Sequence, residues 1–166
     1  MTHPSNTVGA SIDYSTIQQF LYREARLLDQ LLYDDWLSLF ADGGTYWIPA
    51  VRGQTDPLNV PSIIYENTDL LKMRVRRLAD ERTYQSAPRP YTTHIVGNIL
   101  VEDPGQHDLV VHSSLMVHEF RDEQRRLFSG LCTHVLRNTP EGMKIASKRI
   151  ELTDCDGLHT AFMSLL

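Results

Sequence analysis

Cysteine is scarce in this sequence: Cys132 and Cys155 are the only two among 166 residues. Two cysteines are too few for the disulfide framework of a small secreted domain. They also lack the Cys-x-x-Cys spacing that is typical of zinc sites. We therefore expect both side chains to be buried, reduced thiols.

An excess of positive charge and long apolar runs are lacking as well. The formal net charge is -5 at pH 7, so no basic excess is available to neutralise the phosphates of a nucleic acid. No stretch approaches the roughly 18 uninterrupted apolar residues of a membrane helix. The opening segment MTHPSNTVGA has neither the basic nor the apolar region of a signal peptide. These features predict a soluble, cytoplasmic protein that binds neither nucleic acid nor membrane.

The chain is long enough for one domain with its own hydrophobic core. Residues 1–13 are polar, contain Pro4 and Gly9, and show no periodicity, which predicts a loose N-terminal arm. Residues 14–166 are expected to form a single domain without internal repeats.

The N-terminal part of this domain has helical patterns. Ser15 precedes apolar residues spaced three and four apart, and Gln18 completes a possible capping box, so we expect an amphipathic helix of about five turns. Asp34 is a candidate cap for a short second helix that runs through Phe40. Residues 42–44, Asp-Gly-Gly, are expected to stop that helix.

Two strands and a third helix are expected next. Residues 45–50 are rich in aromatic and β-branched side chains and contain a proline, which is typical of a strand near the edge of a sheet. Residues 62–66, SIIYE, have the composition of another strand. Asn67 or Thr68 can cap a helix that reaches Leu78.

The C-terminal half divides at turn signals into four β-rich runs. They are THIVGNILVED, DLVVHSSLMVHEF, RLFSGLCTHVLRN and MKIASKRIELTD. The connections at Pro104-Gly105, 121–124 and 139–142 are short, which favours antiparallel neighbours. Helices followed by a long antiparallel sheet indicate an α+β fold, with the helices on one concave face of the sheet.

Four segments resemble the small (β) subunits of aromatic-ring-hydroxylating dioxygenases. The string FLYREARLLDQLLYDDWLSLFADGGTYWIPA is similar to the opening of those subunits, where Glu-Ala-Arg-Leu-Leu-Asp leads into Trp-Leu-x-Leu-Phe and Tyr-Trp-x-Pro. LLKMRVRRL (70–78), HIVGNILVED (94–103) and KIASKRIELTD (144–154) follow in the expected order. The resemblance spans nearly the whole chain after the arm, which is more specific than a single short motif.

The chain departs from the family pattern at one place. Many members carry arginines just before a histidine, in a pattern like Ser-Arg-Thr-Arg-His, whereas this chain has Pro90-Tyr91-Thr92-Thr93 before His94. Salt bridges that those arginines make in relatives are therefore not expected here.

The resemblance implies a fold and a place in a larger enzyme. The fold would be the cone-shaped roll of the nuclear transport factor 2-like, or cystatin-like, type. The large α subunit of such a dioxygenase holds a Rieske [2Fe-2S] cluster and a mononuclear iron, and the β subunit holds neither. The assembly would be an α3β3 hetero-hexamer with β–β contacts around its three-fold axis.

The reaction implied for the assembly adds both atoms of O2 to an aromatic ring. Electrons from NAD(P)H would reach the α subunit through a reductase or ferredoxin. The β subunit would be non-catalytic and would hold the α subunits in their mutual geometry, because electrons cross between neighbouring α subunits and misplacement is costly.

Several side chains are expected to serve packing or subunit contacts rather than chemistry. Glu24 and Arg26 point about 200° apart on a helix and are interpreted as surface or interface groups. Arg74 and Arg77 lie on one helical face and could clamp a carboxylate of a partner subunit, with a solvated face as the alternative. The aromatic residues interpreted as packing anchors are Trp36, Phe40, Tyr46 and Trp47. The residues expected at subunit interfaces are Arg26, Tyr46, Trp47, Arg74, Arg77 and Tyr91.

A second hypothesis is a free-standing dehydratase or isomerase of the same fold. In that enzyme Asp35, Tyr46, His94 and His112 would form a general acid–base set inside the cone. The alternative is a cone filled by hydrogen-bonded, packed side chains, and the resemblance favours this alternative.

A metal site within this chain is not expected. His112 and His118 share one strand face but lie about 20 Å apart along it. Neither cysteine has a histidine at the spacing of a Rieske centre. Whether His134 faces the same side as His112 depends on a strand register that the sequence does not determine.

Overall fold

Three helices and six strands make up the part of the chain that the computed structural model describes, residues 13–80, 88–102 and 108–166. In chain order they are α1 (Tyr14–Asp29), α2 (Tyr33–Leu37), β1 (Phe40–Pro49), β2 (Ser62–Asn67), α3 (Thr68–Ala79), β3 (Tyr91–Glu102), β4 (Asp108–Arg121), β5 (Gln124–Thr139) and β6 (Gly142–Leu152). The arm predicted for residues 1–13 lies, except for its last residue, outside the described residues. The turn predicted at Pro104-Gly105 also lies outside them.

The six strands form one sheet in the order β2-β1-β6-β5-β4-β3. Strands β3 to β6 are an antiparallel meander, and β1 joins it by pairing in parallel with β6 and antiparallel with β2. Helix α1 packs on β3, while α3 packs on β1 and β2 and α2 contacts both helices. The predicted α+β fold, with N-terminal helices on a curved, mostly antiparallel sheet, is confirmed.

The hairpin between β4 and β5 shows how local sequence fixes the register of the sheet. Arg121 pairs with Gln124, and the two residues between them, Asp122 and Glu123, have φ angles of 48° and 60°. Two successive positive φ angles are characteristic of a type I′ turn, and the backbone twist of this turn matches that of the flanking strands. Further along β5, a Cβ at Gly130 would collide with the backbone carbonyl of Glu151, so β5 and β6 approach closely only because this residue is glycine.

The helix boundaries confirm some predictions and correct others. The Asn67 side chain accepts a hydrogen bond from the Leu70 amide at 3.0 Å, so Asn67, one of the two predicted candidates, caps α3. The prediction that Ser15 caps α1 is wrong: α1 begins at Tyr14, Asp13 is the cap residue, and the Ser15 hydroxyl donates to the Asp13 carboxylate.

The second predicted helix is shorter than expected. Helix α2 ends at Leu37, and Phe40 is already the first residue of β1, so residues 42–44 lie inside a strand and do not stop a helix. The cause is tertiary pairing, because the Ile145 amide of β6 donates to the Leu39 carbonyl at 2.7 Å and Phe40 lies opposite Ile145. This pairing overrides the local helical pattern.

The hydrophobic core lies between the helices and the concave face of the sheet. Trp36 is fully buried at its centre, with its ring edge-on to Phe40 at 5.0 Å and to Tyr46 at 5.9 Å between centroids. These three aromatic residues are the packing anchors that the sequence predicted. Trp47 is only half-buried, and its ring contacts Tyr65 and the guanidinium of Arg149 instead.

Two predictions about exposure can be checked directly. Cys132 and Cys155 are both buried free cysteines, as expected. Within the described ranges, no helix has the length and apolar character needed to cross a membrane.

We predict that Trp36→Ala lowers the free energy of unfolding by about 3–5 kcal/mol, the usual cost of truncating a buried tryptophan. Trp36→Phe should cost less, because it keeps an aromatic ring and loses mainly the indole N–H, which donates to Glu24 at 3.2 Å. Denaturant unfolding measured by circular dichroism tests both variants. A Trp36→Ala protein as stable as wild type would show that this side chain is not a packing anchor.

Candidate functional site

A cluster of charged side chains lies inside the cone, between α1 and the concave face of the sheet. The Glu24 carboxylate of α1 accepts a hydrogen bond from Lys148 Nζ at 2.7 Å and lies 2.9 Å from His134 Nε2. The same carboxylate accepts the Trp36 indole N–H. All four residues are buried, with at most 3% of their surface exposed. We call Glu24, His134 and Lys148 the buried triad.

The sheet register brings the two cations together. His134 on β5 lies directly opposite Lys148 on β6. Both project to the concave face, where the neighbouring Cys132 and Ile150 are also buried. Opposed strand residues stand only about 5 Å apart, so one carboxylate can contact both.

The prediction that Glu24 is a surface or interface group is wrong. Glu24 is 3% exposed, and it follows Leu21 by three positions and precedes Leu28 by four, both of which are buried. Residues at this spacing share one face of a helix. The signal that could have found it is therefore a charged residue in the middle of the apolar stripe of α1.

The buried triad is held in its charged state by its own members. Burial opposes ionisation of Glu24, but the charges of Lys148 and His134 outweigh it and lower the pKa of Glu24 well below its usual range. Burial likewise opposes protonation of His134, yet Cys132 and Glu24 favour the protonated ring, and the pKa of His134 rises to about 9. The pKa of Lys148 is also raised, because the Glu24 carboxylate outweighs the effect of burial.

A second polar group lies beside the triad at the end of α1. Asp29 accepts hydrogen bonds from the His94 backbone amide at 3.1 Å and from the Thr92 hydroxyl at 3.1 Å, and His94 Nδ1 lies 2.6 Å from the carboxylate. Burial lowers the pKa of His94, although the bond to Asp29 acts in the opposite direction. The hydrogen bonds of Asp29 therefore connect α1 to β3, and the His94 side chain takes part in this connection.

The C-terminal residues pack against side chains on the concave face of the sheet. Ser164, Leu165 and Leu166 are all buried. The Tyr46 hydroxyl donates to the Leu166 carbonyl at 3.3 Å and accepts from the Leu166 amide at 3.1 Å. The Ser164 hydroxyl donates to the buried Glu119 carboxylate. These contacts hold residues 164–166 against β1 and β4.

The cavity next to the buried triad is small. Its volume is about 10 Å³, and the Glu24, His94, Cys132, His134 and Lys148 side chains line it. Such a volume is at the lower limit for a single water molecule, whereas ligand sites typically have about 300–1,000 Å³. Ser113, which also lines this cavity, has a buried hydroxyl with no hydrogen-bond partner among the described residues. The cone is thus filled by its own side chains.

The acid–base set considered from the sequence is not brought together. Asp35 is exposed on α2, while Tyr46 is fully buried against the C-terminal residues. His94 is engaged by Asp29 on the concave side. His112 lies on the convex face of β4, next to Thr133 and Glu102. The structure therefore does not bring Asp35, Tyr46, His94 and His112 together in the cone, and the alternative hypothesis of a free-standing enzyme loses the site on which it depends.

The strand register also determines on which face of the sheet each histidine side chain lies. His112 pairs with Thr133, and His134 pairs with Val111, so His134 points to the concave face and His112 with His118 to the convex face. Within residues 13–80, 88–102 and 108–166, no three His, Cys, Asp or Glu side chains are grouped as metal ligands would be. That the chain binds no metal stays a prediction.

The residues expected at subunit interfaces have different environments. Tyr91 is 72% exposed, and Arg26 and Arg77 are also exposed. Arg74 forms a two-pronged ion pair with Glu66 of β2, at 2.9 and 2.5 Å, so its guanidinium is already occupied within the chain. Tyr46 has no exposed surface to offer a partner. Interface roles for Arg26, Trp47, Arg77 and Tyr91 remain predictions.

We expect the buried triad to make stability depend on pH. Because the pKa of His134 is raised from 6.5 to about 9, its contribution is complete below pH 6.5 and is lost as the pH rises through about 9. Because the pKa of Glu24 is lowered from 4.5, its contribution is present above pH 4.5 and is lost as the pH falls below it. Between about pH 6.5 and 9 the free energy of unfolding should fall by on the order of 2 kcal/mol.

Denaturant unfolding at a series of pH values measures this dependence. The matched control is His134→Gln, which keeps a hydrogen-bond donor for Glu24 but cannot titrate. Subtracting the variant's free energy of unfolding from that of wild type at each pH gives the contribution of His134 alone. The contributions of His94 and the other titrating groups cancel. Identical pH profiles for the two proteins would contradict the assignment of a protonated His134.

Comparison with known proteins identifies the family. Residues 23–156 match the family model described as ring hydroxylating beta subunit. The benzoate 1,2-dioxygenase subunit beta of Acinetobacter baylyi is 31% identical over 147 residues, which cover 86% of this chain and 87% of that protein.

Solved structures agree with this result. The beta subunit of the benzoate 1,2-dioxygenase of Burkholderia mallei superposes with a TM-score of 0.73 at 29% identity, covering 87% of this chain and 93% of that one. A nuclear transport factor 2-like protein with a cystatin-like fold from Novosphingobium aromaticivorans has a TM-score of 0.57 at 15% identity, covering 86% and 82% of the two chains, and supports the fold alone. The resemblance inferred from the sequence is confirmed, and the chain belongs to the family of ring-hydroxylating dioxygenase β subunits.

Proposed function

We propose that this chain is the non-catalytic structural β subunit of a terminal oxygenase and assembles with large α subunits as α3β3. In this proposal the α subunits dihydroxylate an aromatic ring with O2, and a reductase or ferredoxin supplies them with electrons from NAD(P)H. Because NAD(P)H is the electron source, we place the assembly in the cytoplasm. The β subunit contributes geometry, since electron transfer and substrate positioning tolerate little displacement.

The filled cone is the observation that carries the non-catalytic role. A cavity of about 10 Å³ has no room for an aromatic ring, since even benzene occupies a cavity of roughly 150 Å³. The titratable groups around it are committed to each other: Glu24 to Lys148 and His134, and Asp29 to His94. A general acid or base needs access to the reacting atom, and Glu24, His134 and Lys148, which are at most 3% exposed, have none. Asp29 and His94 also line an open cleft of about 230 Å³, but they are bonded to each other there.

The residues of this chain do not fit the cofactors of the proposed assembly. A Rieske cluster requires two cysteines and two histidines in paired short motifs. Cys132 and Cys155 are both buried, and His134, the histidine nearest to Cys132, is bonded to Glu24. We therefore assign the [2Fe-2S] cluster and the mononuclear iron to the α subunit and route no chemical step through this chain.

The substrate class is proposed from the relatives. Two of them, at 31% and 29% identity, are named as benzoate 1,2-dioxygenase β subunits. We propose that the assembly acts on a benzoate-like aromatic acid, bound in the α subunit. Benzoate is therefore the first substrate to test.

Co-expression with the large-subunit gene tests the assembly. We expect the two chains to co-purify as one iron-containing complex whose mass by light scattering corresponds to three α and three β chains. A stable one-to-one heterodimer at micromolar concentration would contradict the hexamer. Failure of the two chains to co-purify would contradict the proposed function as a whole.

Turnover of that complex tests the non-catalytic role. We expect His94→Gln and Asp35→Asn to keep kcat per assembled complex within about threefold of wild type, because neither side chain reaches the reacting atoms in the α subunit. Both replacements approximately keep volume and hydrogen-bonding capacity, which limits packing damage. The measurement is benzoate-dependent O2 consumption. A loss of more than about a hundredfold, or roughly 2.7 kcal/mol, with mass and iron content unchanged would assign chemistry to this chain.

A further inference from the structure

A thiol, an imidazole ring and a carboxylate are aligned in the interior of the cone. The Cys132 Sγ atom lies 3.6 Å from Nδ1 of His134, and the other ring nitrogen of His134 lies 2.9 Å from the Glu24 carboxylate. All three side chains are buried, with at most 3% of their surface exposed. The contact of His134 with Glu24 positions α1, but it does not account for a thiol on the other side of the ring.

The charges of the buried triad are not balanced within it. The triad contains two cations, His134 and Lys148, but only one carboxylate, that of Glu24. An uncompensated charge in the interior of a protein is costly. A thiolate on Cys132 supplies the missing negative charge, and cations next to a cysteine favour this form. The thiolate is also the nucleophilic form of the side chain.

The small cavity beside the triad lies directly next to this thiol. Cys132 and His134 line it, and so does Ser113, which lies opposite Cys132 in the β4–β5 register. The buried Ser113 hydroxyl has no hydrogen-bond partner among the described residues, and such a group usually binds a small polar molecule or takes part in redox chemistry. With a volume of about 10 Å³, the cavity has room for one oxygen atom next to the sulfur.

An open cleft gives this cavity a route to solvent. The cleft has a volume of about 230 Å³ and lies between α1 and β3. Ala25, His94 and Val96 line both the cleft and the cavity, so these side chains form the wall between them. Ala25 contributes only a methyl group to this wall. A molecule of two heavy atoms can pass with small side-chain movements, whereas an aromatic ring cannot.

We propose that Cys132 is a peroxide-sensitive thiol, which hydrogen peroxide entering from this cleft oxidises to a sulfenic acid. The Cys132 thiolate attacks one oxygen atom of the peroxide, so a sulfur–oxygen bond forms and the oxygen–oxygen bond breaks. Sulfur is oxidised and the peroxide is reduced. The leaving hydroxide takes a proton from the His134 ring and becomes water. An aromatic substrate cannot reach His134, but a peroxide inside the cavity is next to it, because His134 lines the cavity.

The size of the cavity determines the product. A sulfenic acid adds one oxygen atom to the sulfur, and this atom occupies the cavity, where the Ser113 hydroxyl can bond to it. Further oxidation adds more oxygen atoms and is generally irreversible, but the cavity has no room for them. Of the described residues that line the cavity, Cys132 is the sole cysteine, so no disulfide forms there. Oxidation therefore stops at the reversible stage.

Peptide mapping of the folded, full-length chain after exposure to hydrogen peroxide tests the proposal. Catalase removes the peroxide, the chain is then unfolded, and dimedone traps any sulfenic acid. Trypsin releases Cys132 in residues 127–137, which contain no methionine, so added oxygen there reports the thiol. Cys155 lies in a separate peptide, residues 150–166, and is the internal control because it is buried as well.

We expect Cys132 to gain one oxygen atom at least about tenfold faster than Cys155, because only Cys132 has a cationic ring beside its sulfur. Equal or faster oxidation of Cys155 would overturn the proposal. Absence of oxidation at Cys132 while the chain is folded would overturn it too, and so would a product that carries two or three oxygen atoms.

Two histidine variants separate the effect of His134 from burial alone. His134→Gln keeps a donor for Glu24 but removes the charge beside the sulfur and the proton for the leaving hydroxide, so oxidation of Cys132 should slow by about tenfold or more. His112→Gln is the matched control and should oxidise at the wild-type rate, because His112 lies on the convex face and outside the cavity lining. Circular dichroism confirms that both variants are folded. Equal rates in the two variants would contradict the proposed step.

A bulky reagent distinguishes entry of a small molecule from opening of the fold. Dithionitrobenzoate reacts with exposed thiols but is far larger than the cavity, so it should leave both cysteines of the folded wild-type chain unmodified. Reaction with Cys132 as fast as that of peroxide would show that general opening exposes the thiol, and would overturn the proposal. If His134→Gln opens by this criterion, the comparison of Cys132 with Cys155 in wild type still decides.

This proposal does not depend on the proposed function. The site lies wholly within this chain, and its test requires no α subunit. A peroxide-insensitive Cys132 would leave the proposed assembly unaffected, and failure to co-purify with the α subunit would leave the thiol proposal unaffected.

Discussion

Much of this structure depends on the contact between the buried Glu24 carboxylate and its two cationic partners. The carboxylate lies in the apolar stripe of α1 and contacts a lysine and a histidine from two neighbouring strands, together with the central tryptophan. A buried carboxylate without partners would be very unfavourable, and breaking such a pair typically costs about 3–5 kcal/mol. Helix α1, which packs on β3, must therefore be positioned so that its carboxylate reaches both cations, on β5 and β6. Replacing all three residues by apolar ones need not destabilise the fold, so we interpret the buried triad as fixing the position of α1 rather than as adding net stability.

This interaction also explains why the cone has little empty space. In an α+β roll, the region between the helices and the concave face is where a ligand cavity would form. Here the triad, the Asp29–His94 pair and the C-terminal residues occupy that region, and the cavity beside the triad has a volume of about 10 Å³. The polar groups that look catalytic in the sequence are thus used to connect elements of the fold. Fold alone does not establish function, and here the interior polar side chains are bonded to one another.

The sequence was sufficient to predict the meander, the third helix and its Asn67 cap, because strand periodicity, turn residues and caps act locally. It was insufficient where distant pairing decides the outcome. The end of α2 depends on Ile145, which lies more than a hundred residues away, and the burial of Glu24 depends on His134 and Lys148. The side that His134 faces required the β4–β5 register. Periodicity placed Glu24 on a helix, but only its position between Leu21 and Leu28 indicated that it is buried.

The sequence separation within the buried triad has a consequence for biosynthesis. Glu24 and Lys148 are 124 positions apart, and the chain is made from its N-terminus at roughly 5–20 residues per second. Helix α1 must therefore wait about 6 to 25 s before the strand carrying its lysine partner has been synthesised. During that time the Glu24 carboxylate lacks its lysine partner, although β3, on which α1 packs, has already been synthesised. Contacts of such long range also slow folding. The nascent chain thus passes through a period in which binding by a chaperone competes with aggregation, and this period ends only when β6 has been made.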